Sequence, residues 1–303
     1  MNLCRPFRRV TLFLRLRLFA GVLCFLLLPL AGEARKARPS GVPPIRQGSP
    51  QLWYGRVNHW ADDPRLFREE IRLMVQNGIT GYIIEMAGWK AEDSPGGRAA
   101  ADSSWSRKWI RRTGRAYRRL LGECRRQGIW LFVSVVNDNM GLHKYGDEGP
   151  RLQAVYPQAL QLVEIIRREG PEGVVVQPVA ETQTEAGASL ESHCVSALKD
   201  FLLVYNGQGG SPRTVPPGFH FRAVHPAQLA TPVPPDAFVV SDHGLLIREL
   251  TADGSLDAPG HPQKLPQWIL RHWETGVPVI GYYAFRQREL DAATLTVIGQ
   301  SHP

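Results

Sequence analysis

Apolar positions along this chain switch repeatedly between two rhythms. Short runs rich in β-branched residues alternate with longer stretches in which apolar residues recur every three or four positions and charges fill the gaps. The first rhythm suits strands buried on both faces, and the second suits amphipathic helices that cover them. Strands are predicted at 52–57, 81–85, 129–136, 173–179, 201–205, 219–224, 238–241 and 277–285. Helices are predicted at 63–77, from about 105 to 127, and at 156–169, 190–198, 264–275 and 289–298. Pro64 suits the first turn of the first helix, and Gly78, Gly128 and Gly170 stand where a left-handed residue stops each of the first three.

Eight strands joined mostly by helical crossovers over about 250 residues predict an α/β fold, a single-domain (β/α)8 TIM barrel. The Gly- and Pro-rich stretch from Asn206 to Gly218 leaves little room for a helix, so the fifth helix is expected to be reduced or missing. An open doubly wound sheet is the alternative. Neither a Gly-x-Gly-x-x-Gly after the first strand nor a phosphate-binding Gly-x-x-x-x-Gly-Lys occurs, which argues against a nucleotide cofactor.

The first 34 residues depart from this alternation. Arg5, Arg8, Arg9, Arg15 and Arg17 precede an apolar block from Leu18 to Ala31, and small residues follow it. That order predicts a secretory signal peptide at 1–34, a Pro-rich linker at 35–50 and the barrel at 51–303. The protein is then secreted or periplasmic, with no stable membrane insertion after cleavage; an uncleaved N-terminal anchor is the alternative. Net charge falls from +8 to +4 without this segment, which carries five Arg and one Glu. The basic cluster from Arg107 to Arg119 lies on a helical pattern, no aromatic-basic stacking stripe accompanies it, and it reads as a solvated face, not a nucleic-acid site. Cys124 and Cys194 remain in the mature chain, as a disulfide or as two buried thiols.

In a parallel barrel every strand delivers its C-terminal end to one rim, and polar residues there are candidates for chemistry. The rim collects Asn58 and His59 after strand one, Glu85 on strand two, Asn137 and Asp138 after strand three, and Glu181 after strand four. Strands five to eight add Asn206, His225, Asp242 with His243, and Tyr283 with Arg286. Trp53, Tyr54, Trp60, Trp89, Trp105, Tyr282 and Tyr283 lie on or near strand ends and loops. Aromatic faces beside carboxylates suit sugar rings. Trp130 and Trp268, inside regular elements, are expected to pack in the core.

Val179-Ala180-Glu181-Thr182 and Ser241-Asp242-His243-Gly244 resemble, with the architecture, the cellulase-like clan of (β/α)8 glycoside hydrolases. The resemblance covers most of 52–300 by architecture and rests on short motifs. It implies that Glu181 is the general acid/base and Asp242 its nucleophile or base; Glu85, ending the apolar run Tyr82-Ile83-Ile84, is a third carboxylate able to replace either or to bind a hydroxyl. It also implies an oligo- or polysaccharide substrate and no cofactor. Asn58, His59, Trp89, Asn137, Asp138, Asn206, His225, His243, Tyr283 and Arg286 would be substrate contacts. Ala180 stands where the clan has an asparagine and Asp242 where it has a glutamate. These departures leave retaining and inverting routes open and make a carbohydrate-binding barrel without catalysis the second reading.

A third reading is a metal-assisted hydrolase built on rim histidines and aspartates. His59, His225 and His243 have no metal-ligand spacing, and Asn137-Asp138-Asn139 lacks the rest of a calcium loop, so no metal is expected. Capping the loop before the fourth helix or pairing with an Arg is the structural alternative for Glu181, capping a turn with Gly244 is that for Asp242, and a buried ion pair with Arg56 or Arg286 is that for Glu85.

Overall fold

The computed structural model describes residues 43–45, 51–56, 60, 64–86, 107–137, 152–180, 182, 184–206, 215–224, 237–242, 269–270, 273–274, 279–284 and 292–300. The strands are β1 (Gln51–Arg56), β2 (Gly81–Glu85), β3 (Trp130–Asn137), β4 (Val174–Ala180), β5 (Leu202–Tyr205), β6 (Phe221–Val224), β7 (Ala237–Asp242) and β8 (Val279–Ala284). Each pairs in parallel with the next, and β8 returns to β1, closing the barrel. The described helices are α1 (Pro64–Gln76), α2 (Arg107–Gln127), α3 (Leu152–Glu169), α4 (Glu185–Ala197) and α5 (Ala292–Gln300). The predicted strand positions therefore stand, and in the β5–β6 connection the described residues 206 and 215–220 contain no helix.

Alternation along the strands separates two cores. Tyr82 of β2 donates from its hydroxyl to Glu70 Oε2 of α1 at 2.6 Å, so its face looks outward to the helices. The opposite face carries Gly81, Ile83 and Glu85. Trp53, Ile83, Phe132, Val175, Val204, Ala223 and Val279 form the inner cluster, while Leu52, Tyr54, Ile84, Leu131, Val133, Val176 and Leu203 join the helices outside. Gly81 is needed for this packing: a Cβ there would come within 2.4 Å of the Trp53 ring.

The barrel floor is closed by aromatic stacking and by a short N-terminal segment. Trp53 stacks on Trp130 at 6.4 Å and meets Phe132 edge-on at 6.3 Å. Ile45 packs against the same cluster. The Pro43 carbonyl accepts the Trp130 indole N–H at 2.6 Å, and the Pro44 carbonyl accepts from Gln51 Nε2 at 2.9 Å. Gln51 Oε1 in turn accepts from Trp53 Nε1 at 3.2 Å and from the Thr80 hydroxyl at 3.1 Å. All these strand residues stand at or next to strand beginnings, so part of the predicted linker is seated on the floor.

Two helices begin earlier than their apolar pattern indicates. α3 starts at Leu152 and carries Pro157 inside it. Pro157 is exposed, whereas Leu152 and Val155 are buried, so burial of the first turn outweighs the backbone bond that proline removes. α4 starts at Glu185 because Thr184 caps it, its hydroxyl accepting the Gly187 N–H at 3.1 Å. The glycines after α1, α2 and α3 have φ of 72°, 69° and 82°, as a left-handed stop requires.

Cys124 and Cys194 are both buried free thiols. Burial, with smaller help from Glu123, pushes the Cys124 thiol up; burial and then Glu191 push Cys194 up to about 12. No described helix is long and apolar enough to cross a membrane.

Candidate active site

The barrel interior changes character toward the strand ends. Above the layer of Ile83, Phe132 and Val175, the next inner positions of β2, β3 and β4 are Glu85, Ser134 and Gln177, aligned in register across the three strands. Gln177 Nε2 donates to Ser134 Oγ at 3.3 Å. All three are buried, Glu85 with 4% of its surface exposed. A carboxylate removed from water is costly, and inside a barrel the strand C-terminal end is where such a group has chemical use.

Glu85 is fixed through its backbone. Its carbonyl accepts the indole N–H of Trp60 at 2.8 Å, and the next amide, Met86, donates to the Ser134 carbonyl at 2.7 Å. Trp60 is 3% exposed and is therefore a strut under the rim, not a sugar platform. Trp53 and Tyr54, at 1% and 0%, are core residues of the inner and outer clusters. Those three aromatic positions correct the expectation that they face a substrate: strands covered on both faces bury aromatic residues on either side.

On β4 the strand ends at Ala180, opposite Asn137, the last residue of β3. Glu181 follows immediately and lies outside the described residues. Its neighbour Thr182 is held on two sides: its N–H donates to the Asn206 carbonyl at 3.1 Å and its hydroxyl to Glu191 Oε1 at 2.5 Å. The cap of the following helix is supplied by Thr184. Asn206, directly after β5, is buried and continues the inner alternation of Leu202 and Val204. Tyr205 packs edge-on against Phe219 at 5.4 Å, and burial, with Glu191 adding to it, raises its phenol above the ordinary range.

Asp242 is the last residue of β7 and pairs with Tyr283 of β8, which pairs with Gly55 of β1. Phe238 pairs with Val279 of the inner cluster, and Asp242 and Tyr283 lie four positions further on, in the same alternation. The backbone thus brings Glu85, Asn206, Asp242, Tyr283 and the end of β3 at Asn137 to one rim. Asn58, His59, Trp89, Asp138, His225, His243 and Arg286 lie outside the described residues, as do Trp105 and Trp268. Among the described residues no three His, Cys, Asp or Glu side chains gather as a metal site.

Ser134 and Gln177 are candidate site residues that the strand pattern alone did not single out. Their signal is a polar residue inside an otherwise apolar run, Phe-Val-Ser-Val-Val and Val-Val-Gln-Pro-Val. Only the register shows that they share a level with Glu85.

No known protein family matches the sequence, and no curated protein does. Solved structures that the chain resembles include the endo-beta-1,4-mannanase from Thermotoga petrophila, with 8% identity over 87% of this chain and 77% of that one and a TM-score of 0.49. A GH5-4 broad specificity endoglucanase from an uncultured bacterium shares 10% identity over 85% of this chain and 96% of that one, with a TM-score of 0.49. XacCel5A, solved in complex with cellopentaose, shares 8% over 83% and 99%, with a TM-score of 0.47. The likeness is one of fold, to glycoside hydrolases of the cellulase and mannanase type.

Proposed function

We propose that this is an exported glycoside hydrolase-like protein that takes an oligo- or polysaccharide at the C-terminal rim. The observation that carries the reading is the polar level of Glu85, Ser134 and Gln177 set above an apolar barrel interior, with buried Asn206 directly after β5 and Asp242 at the end of β7. Glu181, one residue beyond β4, is the proton donor to the leaving oxygen, and Asp242 is the nucleophile or the base that activates water. Two such carboxyl groups need different environments, one favouring the neutral acid and the other the anion. Glu85 binds a sugar hydroxyl or takes one of the two roles.

The test is turnover of soluble β-linked mannans and glucans by the mature chain and by Glu181→Gln. Loss of hydrolysis with sugar binding retained supports the assignment. Unchanged hydrolysis in Glu181→Gln overturns Glu181 as the donor, and turnover abolished by a chelator would move the reading to metal-assisted hydrolysis.

Ala180 and the shorter Asp242 favour a second reading, a barrel that binds glycans without cleaving them. Measurable binding with no turnover by the unmodified protein selects it.

A further inference from the structure

α2 carries nine Arg and Lys among its 21 residues, and its one acid, Glu123, is buried and bonded to Arg126 at 2.6 Å and to Gln127 at 3.2 Å. At about 100° per residue the seven cations from Arg107 to Arg119 fall within one arc of about 140°, opposite the buried face of Ile110, Tyr117, Leu120 and Cys124. All seven are exposed. Arg118, at the edge of the arc, pairs with Glu169 of α3 at 2.7 Å, and Arg125 donates to the carbonyls of Glu169, Gly170 and Glu172. Arg107, Lys108, Arg111, Arg115 and Arg119 have no ion pair or hydrogen-bond partner among the described residues.

This arrangement works against the helix itself. Arg107, Arg111, Arg115 and Arg119 repel at successive i,i+4 spacings, and Arg107 and Lys108 stand at the helix end where the dipole disfavours cations. α1, packed beside α2, presents Arg65, Arg68 and Arg72 on its exposed face and Glu69 as its one exposed acid. A face kept only for solubility would mix its signs.

We infer that the exposed face of α2 binds a linear anionic glycan, one bearing carboxylate or sulfate groups, along the outside of the barrel. Arginine forks suit both groups. The seven cations span about 18 Å of axis, roughly 3 Å per charge, sparser than the roughly 1.7 Å per charge of duplex DNA. Among the described residues no exposed aromatic accompanies the stripe for base stacking. The large apolar residues exposed among the described ones, Val75 and Leu270, are too few to anchor it in a lipid surface. α2 follows β2, so its cationic end starts from the same end of the barrel as Glu85, and a polymer lying along it leads to the rim. The choice of a glycan among polyanions rests on the function proposed above; the one-signed face does not.

The mature chain, its Arg107→Gln/Arg111→Gln/Arg115→Gln/Arg119→Gln variant and Glu181→Gln are compared for binding to polygalacturonate, duplex DNA and vesicles containing anionic lipid. Thermal unfolding of each variant is recorded alongside. Wild type and Glu181→Gln should bind polygalacturonate, weakening by about tenfold or more between about 50 and 200 mM salt, and the quadruple variant should lose that binding while unfolding no earlier. Equal binding by the quadruple variant, absence of binding by wild type at low salt, or tighter binding to DNA or vesicles overturns the inference. Because Glu181→Gln keeps the stripe and the quadruple variant keeps the rim, failure of one proposal is read separately from failure of the other.

Discussion

The lower and upper levels of the barrel interior are built on the same strands and do opposite things. Below, Trp53, Trp130, Phe132 and Val175 fill the tube with apolar surface, each large side chain stabilising the fold by roughly 1.5–3 kcal/mol. Above, Glu85, Ser134 and Gln177, two residues beyond Ile83, Phe132 and Val175, and Asn206 after β5 are buried although burial of such groups is unfavourable. The difference teaches where to look for chemistry: the lower level holds the strands at fixed spacing, and the upper level uses that rigidity to hold polar groups in place.

The largest effect expected is at the rim. Glu181→Gln should lower glycan turnover by about 10²–10⁴-fold with little change in thermal unfolding, as measured by initial rates and a melting curve. Substantial residual activity would break the assignment of the upper level. At the lower level, Phe132→Ala should cost about 3–5 kcal/mol in denaturant unfolding, and if the fold survives its turnover should fall much less than that of Glu181→Gln. Between these lies Glu85→Gln, which removes a buried charge while keeping the side chain's shape. Turnover should fall at least about tenfold while stability stays the same or rises. A loss of stability with full activity would instead make Glu85 a structural residue.

A smaller effect sharpens the boundary between the levels. Gln177→Ala leaves Ser134 without its donor and should cost about 1–2 kcal/mol. The smallest effect concerns the thiols of the outer layer. Because Cys194 is raised from about 9 to about 12, its burial leaves stability untouched below pH 9 and lowers it as pH climbs from there toward 12. Iodoacetamide should therefore modify neither Cys124 nor Cys194 in the folded protein at pH 8 and both after unfolding. Rapid labelling of the folded chain would show the outer layer opening where these contacts hold it shut.

The strands were legible because runs such as Val174–Val176 and Tyr82–Ile84 are apolar on both faces, and β2 matches its predicted bounds residue for residue. The same property hid which face each residue occupies. In Leu52-Trp53-Tyr54 nothing local distinguishes the barrel interior from the helix layer; the Tyr82–Glu70 bond and the Gly81 contact with Trp53 decide it, and both come from other elements. The start of α4 was hidden for the opposite reason. Glu185-Ala-Gly-Ala-Ser has little apolar period, and the helix begins there because of a cap. At the site, Glu85 and Asp242 were visible as acids that end apolar runs, whereas Ser134 and Gln177 became neighbours of Glu85 only through register.

The residues seated beneath the barrel bear on how the protein meets its surroundings. Pro43, Pro44 and Ile45 are fastened to Gln51, Trp130 and the inner cluster, all at strand beginnings, while the acids stand at strand ends. The chain therefore enters the barrel at one pole and would receive a substrate at the other. The pole that seats these three residues is thus spoken for by the chain itself, and the opposite pole is the one left to a substrate.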